Sequence, residues 1–181
     1  MSGKRFGVII GALAVAGTLA ACSGGTPGAA AVVDGRAISE SDVDSVVQQL
    51  QPVMQNELVR GSVALTLAQE PTLREVASEY GLAMTDSEVR TSYATAAEQL
   101  QIDPVELTDA SVAFVRYQTI ATTLNSMGNQ QATTIAADFT ERQATLDIDL
   151  NPRYGEEIAV GTFAPTTYPW IVQTTADVTA G

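Results

Sequence analysis

Apolar residues recur along this chain in three patterns, and each predicts a different structure. From Phe6 to Ala21 a 16-residue run carries no charge. It is shorter than the roughly 20 residues a membrane-spanning helix needs. Because Lys4 and Arg5 precede it, it reads as a secretory signal over residues 1–21 rather than as part of the fold. From Val43 onward the spacing becomes helical. Val43, Val46, Val47 and Leu50 fall at i, i+3, i+4 and i+7, one stripe of a helix that Ser39 caps with Asp42 as its partner and that Pro52 ends or kinks. A second helical stretch covers about Val53 to Gln69. Its apolar residues, among them Leu58, Val59, Val63 and Leu67, spread too widely for one stripe, which predicts a place near the centre of a bundle. Pro71 is expected to interrupt it, leaving Leu73, Val76, Ala77 and Tyr80 on a short helix closed by Gly81.

The helical pattern then continues to about residue 144. Thr85 with Glu88 is a capping box for a helix whose stripe is Val89, Tyr93, Ala96 or Ala97, and Leu100. Asp103-Pro104-Val105-Glu106 sets a cap, a first-turn proline and a box partner in the order of a further helix start. From Asp109, the residues Ala113, Tyr117, Ile120, Leu124 and Met127 share a face, and Gly128 stops the helix. This stripe reads as core rather than as a ligand surface. A last helix covers about Gln131 to Ala144, with Ile135, Ala136 and Phe139 inward.

The third pattern has a period of two. Val32-Val33, Asp34-Gly35 and Arg36-Ala37-Ile38 read as strand, turn and strand, since Asp-Gly suits the positive φ angles of a type I′ hairpin. Leu146 to Leu150 alternates as a strand that Asn151-Pro152 ends, and it is available to extend the hairpin into a sheet. The tail, 156–181, is rich in Pro, Thr and Tyr and reads as mostly irregular, with Ile158 to Phe163 extended. The expected class is mainly α: a helical bundle with a small β element, made of the N-terminal hairpin and a late strand, over residues 31–155. From Cys22 the chain has 160 residues, enough for one domain that buries roughly 68–70% of its unfolded surface.

Composition sharpens the reading of the N-terminus. Leu19-Ala20-Ala21-Cys22 resembles the lipobox of bacterial lipoproteins. That resemblance implies cleavage before Cys22 and a diacylglyceryl group on its sulfur. Cys22 is the only cysteine, so no intramolecular disulfide competes for it, and two acyl chains hold a protein where one gives only marginal binding. The expected location is the extracytoplasmic face of a membrane. Residues 22–30, with the small-residue run Ser23 to Ala30, read as a flexible tether. After the signal the chain carries seven arginines, no lysine and 21 carboxylates, a formal charge of −14. Such a surface repels nucleic acid and anionic head groups, so membrane attachment falls to the lipid.

Candidate chemistry is sparse. The chain has no histidine, which removes Ser-His-Asp and Cys-His catalysis and every histidine-containing zinc site. Asp147-x-Asp149-x-Asn151 has the opening spacing of a calcium loop, but Pro152 and Ile158 stand where that loop needs glycine and a carboxylate. Two aspartates on a solvated strand face explain it better. Glu156-Glu157 reads as a solvated turn, and Asp109 and Asp138 have no partner defined by spacing. No residue emerges as catalytic, metal-binding or cofactor-binding.

Three segments together resemble the N-terminal chaperone domain of the SurA and PrsA foldases. Val32 to Val43 is similar to its opening strand, Asn/Asp-Gly turn and Ser/Thr-capped helix. Ala77 to Leu82 followed by Thr85 to Val89 is similar to its helix ending in glycine and the capped helix after it. Asn151-Pro152-Arg153-Tyr154-Gly155 resembles the closing segment in lipoproteins of high-GC Gram-positive bacteria. The resemblance implies a non-enzymatic holdase for unfolded, exported polypeptides. It does not imply a prolyl isomerase, since the parvulin domain of longer relatives needs about a hundred further residues and histidines absent here. The alternative expectation is a lipid-tethered partner of one cell-envelope enzyme or transporter. Sequence alone does not place a client-binding surface.

Overall fold

The structure, a computed structural model, describes residues 26–159 and 162–164, with side chains over 26–155. Residues 1–25, with the expected signal and Cys22, and the tail beyond 164 lie outside the described residues. Strands β1 (Ala29–Val33) and β2 (Arg36–Ser39) lead into helices α1 (Glu40–Leu50), α2 (Arg60–Glu79), α3 (Asp86–Gln99), α4 (Asp109–Met127) and α5 (Gln130–Gln143). Strands β3 (Ile148–Leu150), β4 (Glu156–Ala159) and β5 (Thr162–Ala164) follow. The fold is mainly helical with a small antiparallel sheet, as the sequence predicts.

The hairpin forms because Asp34 and Gly35 both take positive φ, 48° and 78°, the pair a two-residue type I′ turn requires. β1 sits between its neighbours in the order β2-β1-β3, and Ala31, Val32 and Val33 pair with Leu150, Asp149 and Ile148. The late strand therefore closes the sheet across the whole domain. Gly35→Val would place a β-branched residue at that positive φ and is expected to cost about 1–3 kcal/mol. Chemical denaturation of wild type and variant measures it, and equal midpoints would exclude the turn's role in register.

Helix ends follow local chemistry. Ser39 and Asp42 form a reciprocal capping box on α1, and Thr85 and Glu88 form one on α3. The Thr85 backbone N–H and hydroxyl both donate to Glu88 at 2.7 Å and hold its carboxyl below the usual range. That contribution is present above the ordinary carboxylate pKa and fades as pH falls through the lowered one. After α2, Gly81 takes φ 73° while Leu82 N–H donates to Ala77 O and Gly81 N–H to Ser78 O, a Schellman ending. α3 ends in the same way, but with Gln101 at φ 60° in the glycine position.

Several expectations are corrected. The tether ends sooner than residue 30, because Ala29 and Ala30 belong to β1 and are 6% and 0% exposed. Pro71 does not divide the second helical stretch: α2 runs unbroken through it. Proline's fixed φ is compatible with a helix and its penalty is about 3 kcal/mol. Val63, Ala64, Leu67 and Ala68 before it and Leu73, Val76 and Ala77 after it are all buried, and that burial holds both halves in one line. The same stretch does not start at Val53. Gln51–Val53 is a 3-10 turn, and α2 begins only at Arg60.

No helix starts at Asp103. Residues 102–108 form no helix or strand, and the segment is pinned where Leu107 is buried and Arg90 donates to its carbonyl. Thr108 caps α4 instead, accepting from Ser111 N–H, while Gln49 at the end of α1 accepts from Thr108 N–H at 3.0 Å. Leu100 is exposed at the end of α3, and Ala136 faces outward on α5. Residues 156 and 157 lie in β4, which pairs with β5, so the expected turn there is a strand.

α2 and α4 form the centre, packing on each other and on α1 and α5. One core cluster joins Ile38, Val43, Val46, Leu50, Leu67 and Phe114 among others. A smaller one joins Leu73, Ala77 and Ile120, with Tyr117 and Phe139 meeting edge to face at 6.4 Å. The segment Asn151 to Tyr154 locks onto the start of the domain. Asn151 donates its side-chain amide to the Ala29 carbonyl and its backbone N–H to the Ala30 carbonyl, and Tyr154 Oη donates to Glu40. Gly61 is needed where Tyr154 crosses α2, because a Cβ there would stand 2.5 Å from the Tyr154 carbonyl oxygen.

Candidate functional site

The arrangement of α2, α3 and α4 rests on a buried arginine. Val112, Arg116 and Ile120 are spaced four apart along one line of α4, and all are buried. Arg116 is 4% exposed and stands 2.5 Å from the equally buried Glu70 of α2. Its other nitrogens donate to Asp86 at the start of α3 and to the Met84 carbonyl. One guanidinium thus ties three elements together and satisfies its planar set of donors. One residue along, Tyr117 donates to Gln69 at 3.1 Å, and burial raises its phenol pKa. Arg142 of α5 binds Glu79 through two nitrogens and Asp138 at 3.0 Å. These contacts, Glu79 first, raise its pKa further. Asp138 is thereby accounted for as a surface ion-pair partner.

With α3 fixed against α4 at one end, a groove of about 340 Å³ opens between the 3-10 turn, α3 and the second half of α4. Val53, Met54, Tyr93, Ala96 and Val115 supply its apolar surface, and the rest of the lining is Ser, Thr and Gln. None of its lining residues is charged, on a chain with 21 carboxylates. Thr119 and Thr123 on its wall donate their hydroxyl protons to carbonyls one turn earlier, each at 2.8 Å. Those hydroxyls are left with acceptor capacity only, which suits N–H donors of a bound chain. Tyr93 closes the floor and accepts from Val105 N–H at 3.4 Å.

Sequence reasoning did not find this groove, because its lining comes from three elements that no local spacing relates. The signal that was present is the run of hydroxyl residues at 119, 122, 123 and 126, polar but uncharged on a long helix. Tyr117, Ile120 and Leu124 are core residues as expected, packed with Leu73, Ala77 and Phe139. Asp147 and Asp149 are exposed while Ile148 is half-buried and Leu150 buried, so the calcium-like spacing is a strand face. Asp109 is exposed, 3.5 Å from Arg90. Among the described residues, no group of three or more acidic, Cys or His side chains is placed to hold a metal ion, and no helix is long and apolar enough to cross a membrane. Cys22 lies outside the described residues. Compared with known proteins, the chain matches no protein-family model, no curated protein and no solved structure.

Proposed function

We propose that this chain is a lipid-anchored, extracytoplasmic holdase of the SurA/PrsA N-terminal type, which binds exported polypeptides without catalysis. The observation that carries the reading is the uncharged groove in a strongly acidic protein. Apolar side chains of an unfolded client would enter between Met54, Tyr93 and Val115, and its backbone N–H groups would meet the acceptor rim of α4. Methionine and aromatic surfaces adapt to varied side chains. The surrounding negative charge would keep client complexes apart by mutual repulsion. The lipid on Cys22 would hold this groove near the point where exported chains emerge.

A second reading, a tethered partner of one envelope protein, is favoured by the groove's size. It lies near the lower end of the about 300–1,000 Å³ of small-ligand pockets. Among the described residues, the large apolar side chains exposed elsewhere are Val59, Leu100 and Val105. Photo-crosslinking in living cells separates the two readings. A crosslinking residue at the exposed position Ala96 is expected to capture many exported proteins. Capture of one protein in stoichiometric yield would assign the groove to a fixed partner.

A further inference from the structure

A second cavity, on the opposite side of α4, has a different chemistry. It occupies about 230 Å³ between β2, the first turn of α1, the middle of α2 and the start of α4. Its walls are aliphatic: Ile38, Leu67, Pro71, Ala110 and Ala113. Its charged lining residues are three carboxylates, Asp42, Glu70 and Asp109, against one guanidinium, Arg36.

Two acceptors in this cavity are incompletely used. Glu70 is 5% exposed, and its contacts with Arg116 at 2.5 Å and Arg74 at 3.7 Å both run through Oε1. No Oε2 bond occurs among the described residues, yet no fully buried side-chain oxygen lacks a partner. Oε2 is therefore not sealed off, and Glu70 is among the residues that line the cavity. The other acceptor is backbone. Pro71 sits inside α2 and has no N–H, so the Leu67 carbonyl, four residues earlier, loses its helical donor. Leu67, Glu70 and Pro71 line the same space. The rim carboxylates are partly engaged: Asp42 Oδ2 accepts from Ser39 N–H and Oγ–H, and Asp109 stands 3.5 Å from Arg90 while fully exposed.

We infer that this cavity binds a primary alkylammonium group, its aliphatic stem lying along Leu67, Pro71 and Ala113 and its nitrogen meeting Glu70 Oε2 and the Leu67 carbonyl. An ammonium carries three donors and no acceptor, which matches these two acceptors, while Arg36, the one cation of the lining, is an exposed residue. The cavity is below the size of drug-sized pockets, about 300–1,000 Å³, and suits a single unbranched side chain. The chain has no lysine after Lys4, so a folded second copy does not compete for the site. The sources of such a group are a lysine side chain of another polypeptide or a free amine. This inference does not rest on the groove, which lies between other elements.

Binding is read from backbone amide resonances of Ala37, Leu67 and Ala110, using the full chain in neutral detergent. N-acetyl-lysinamide is expected to shift them saturably, and N-acetyl-norleucinamide, which ends in a methyl group, to bind at least roughly tenfold more weakly. Pro71→Ala returns a donor to the Leu67 carbonyl. It is expected to raise the unfolding temperature while weakening the lysyl probe several-fold, a combination that a purely structural proline would not give. Ala113→Leu fills the cavity and is expected to abolish the shifts, with folding checked by thermal unfolding. Adding 1,5-diaminopentane distinguishes the sources: preference for the lysyl compound supports a polypeptide side chain, and preference for the diamine supports a free amine. Equal binding of the norleucyl and lysyl compounds, or unchanged binding in a folded Ala113→Leu variant, overturns the assignment.

Discussion

Replacing Arg116 by methionine is expected to destabilise the domain by about 3–5 kcal/mol, the cost of leaving one member of a buried ion pair without its partner. Glu70 would remain nearly enclosed, keeping only Arg74 at 3.7 Å, and that arginine is half-exposed. Asp86 would lose a contact too, but it is largely solvated, and exposed pairs contribute about 0–1 kcal/mol. The Met84 carbonyl would also lose its donor. Removing both charges, as Arg116→Met with Glu70→Leu, is expected to recover much of the loss, because well-packed apolar replacements of a buried pair are often neutral or stabilising. Urea unfolding of the two single variants and the double variant measures the coupling. If the two single losses simply add to give that of the double variant, the pair is not the joint between α2 and α4.

The other large effect concerns attachment. Cys22→Ala is expected to abolish lipidation altogether and to leave the precursor uncut or cut elsewhere. Two acyl chains bind a membrane through roughly 0.8 kcal/mol per buried methylene, and a surface with 21 carboxylates offers no electrostatic substitute. Labelling with a radioactive fatty acid and partitioning into detergent test this directly. Wild type is expected to enter the detergent phase with label and the variant to stay in the aqueous phase without it. Equal labelling would remove the anchor from the account.

What the sequence revealed was mostly what neighbouring residues decide. Ser39 with Asp42, Thr85 with Glu88, and Asp34 with Gly35 are local devices, each closed within a few residues, and the structure places them as read. β3 was legible because a period of two is visible even in five residues. Pro71 was misread because a local penalty of about 3 kcal/mol was weighed without the burial on both sides that outweighs it. Asp103-Pro104 was misread for the converse reason. Its capping pattern is sound, but Leu107 and Thr108, held by Arg90 and Gln49, set the helix start five residues later. Arg116 and Glu70 sit 46 residues apart; charge along a sequence reads as solvated until the fold brings such groups together. The groove depends on the same long-range placement, so its residues carried no motif.

Suppression of aggregation by the groove tests the central claim most directly. The lipid-free domain is added at several ratios to a denatured reporter protein, and light scattering is followed at two ionic strengths. Wild type is expected to slow aggregation in proportion to its concentration and to lose little with salt, because apolar contact rather than charge supplies the affinity. Ala96→Trp, at an exposed position on the groove lining, fills the space without touching the core and is expected to lose most of that protection while unfolding at the same temperature. A proline-limited refolding reaction run alongside is expected to proceed at its uncatalysed rate. No suppression by wild type at any ratio, or equal suppression by wild type and Ala96→Trp, would contradict the account.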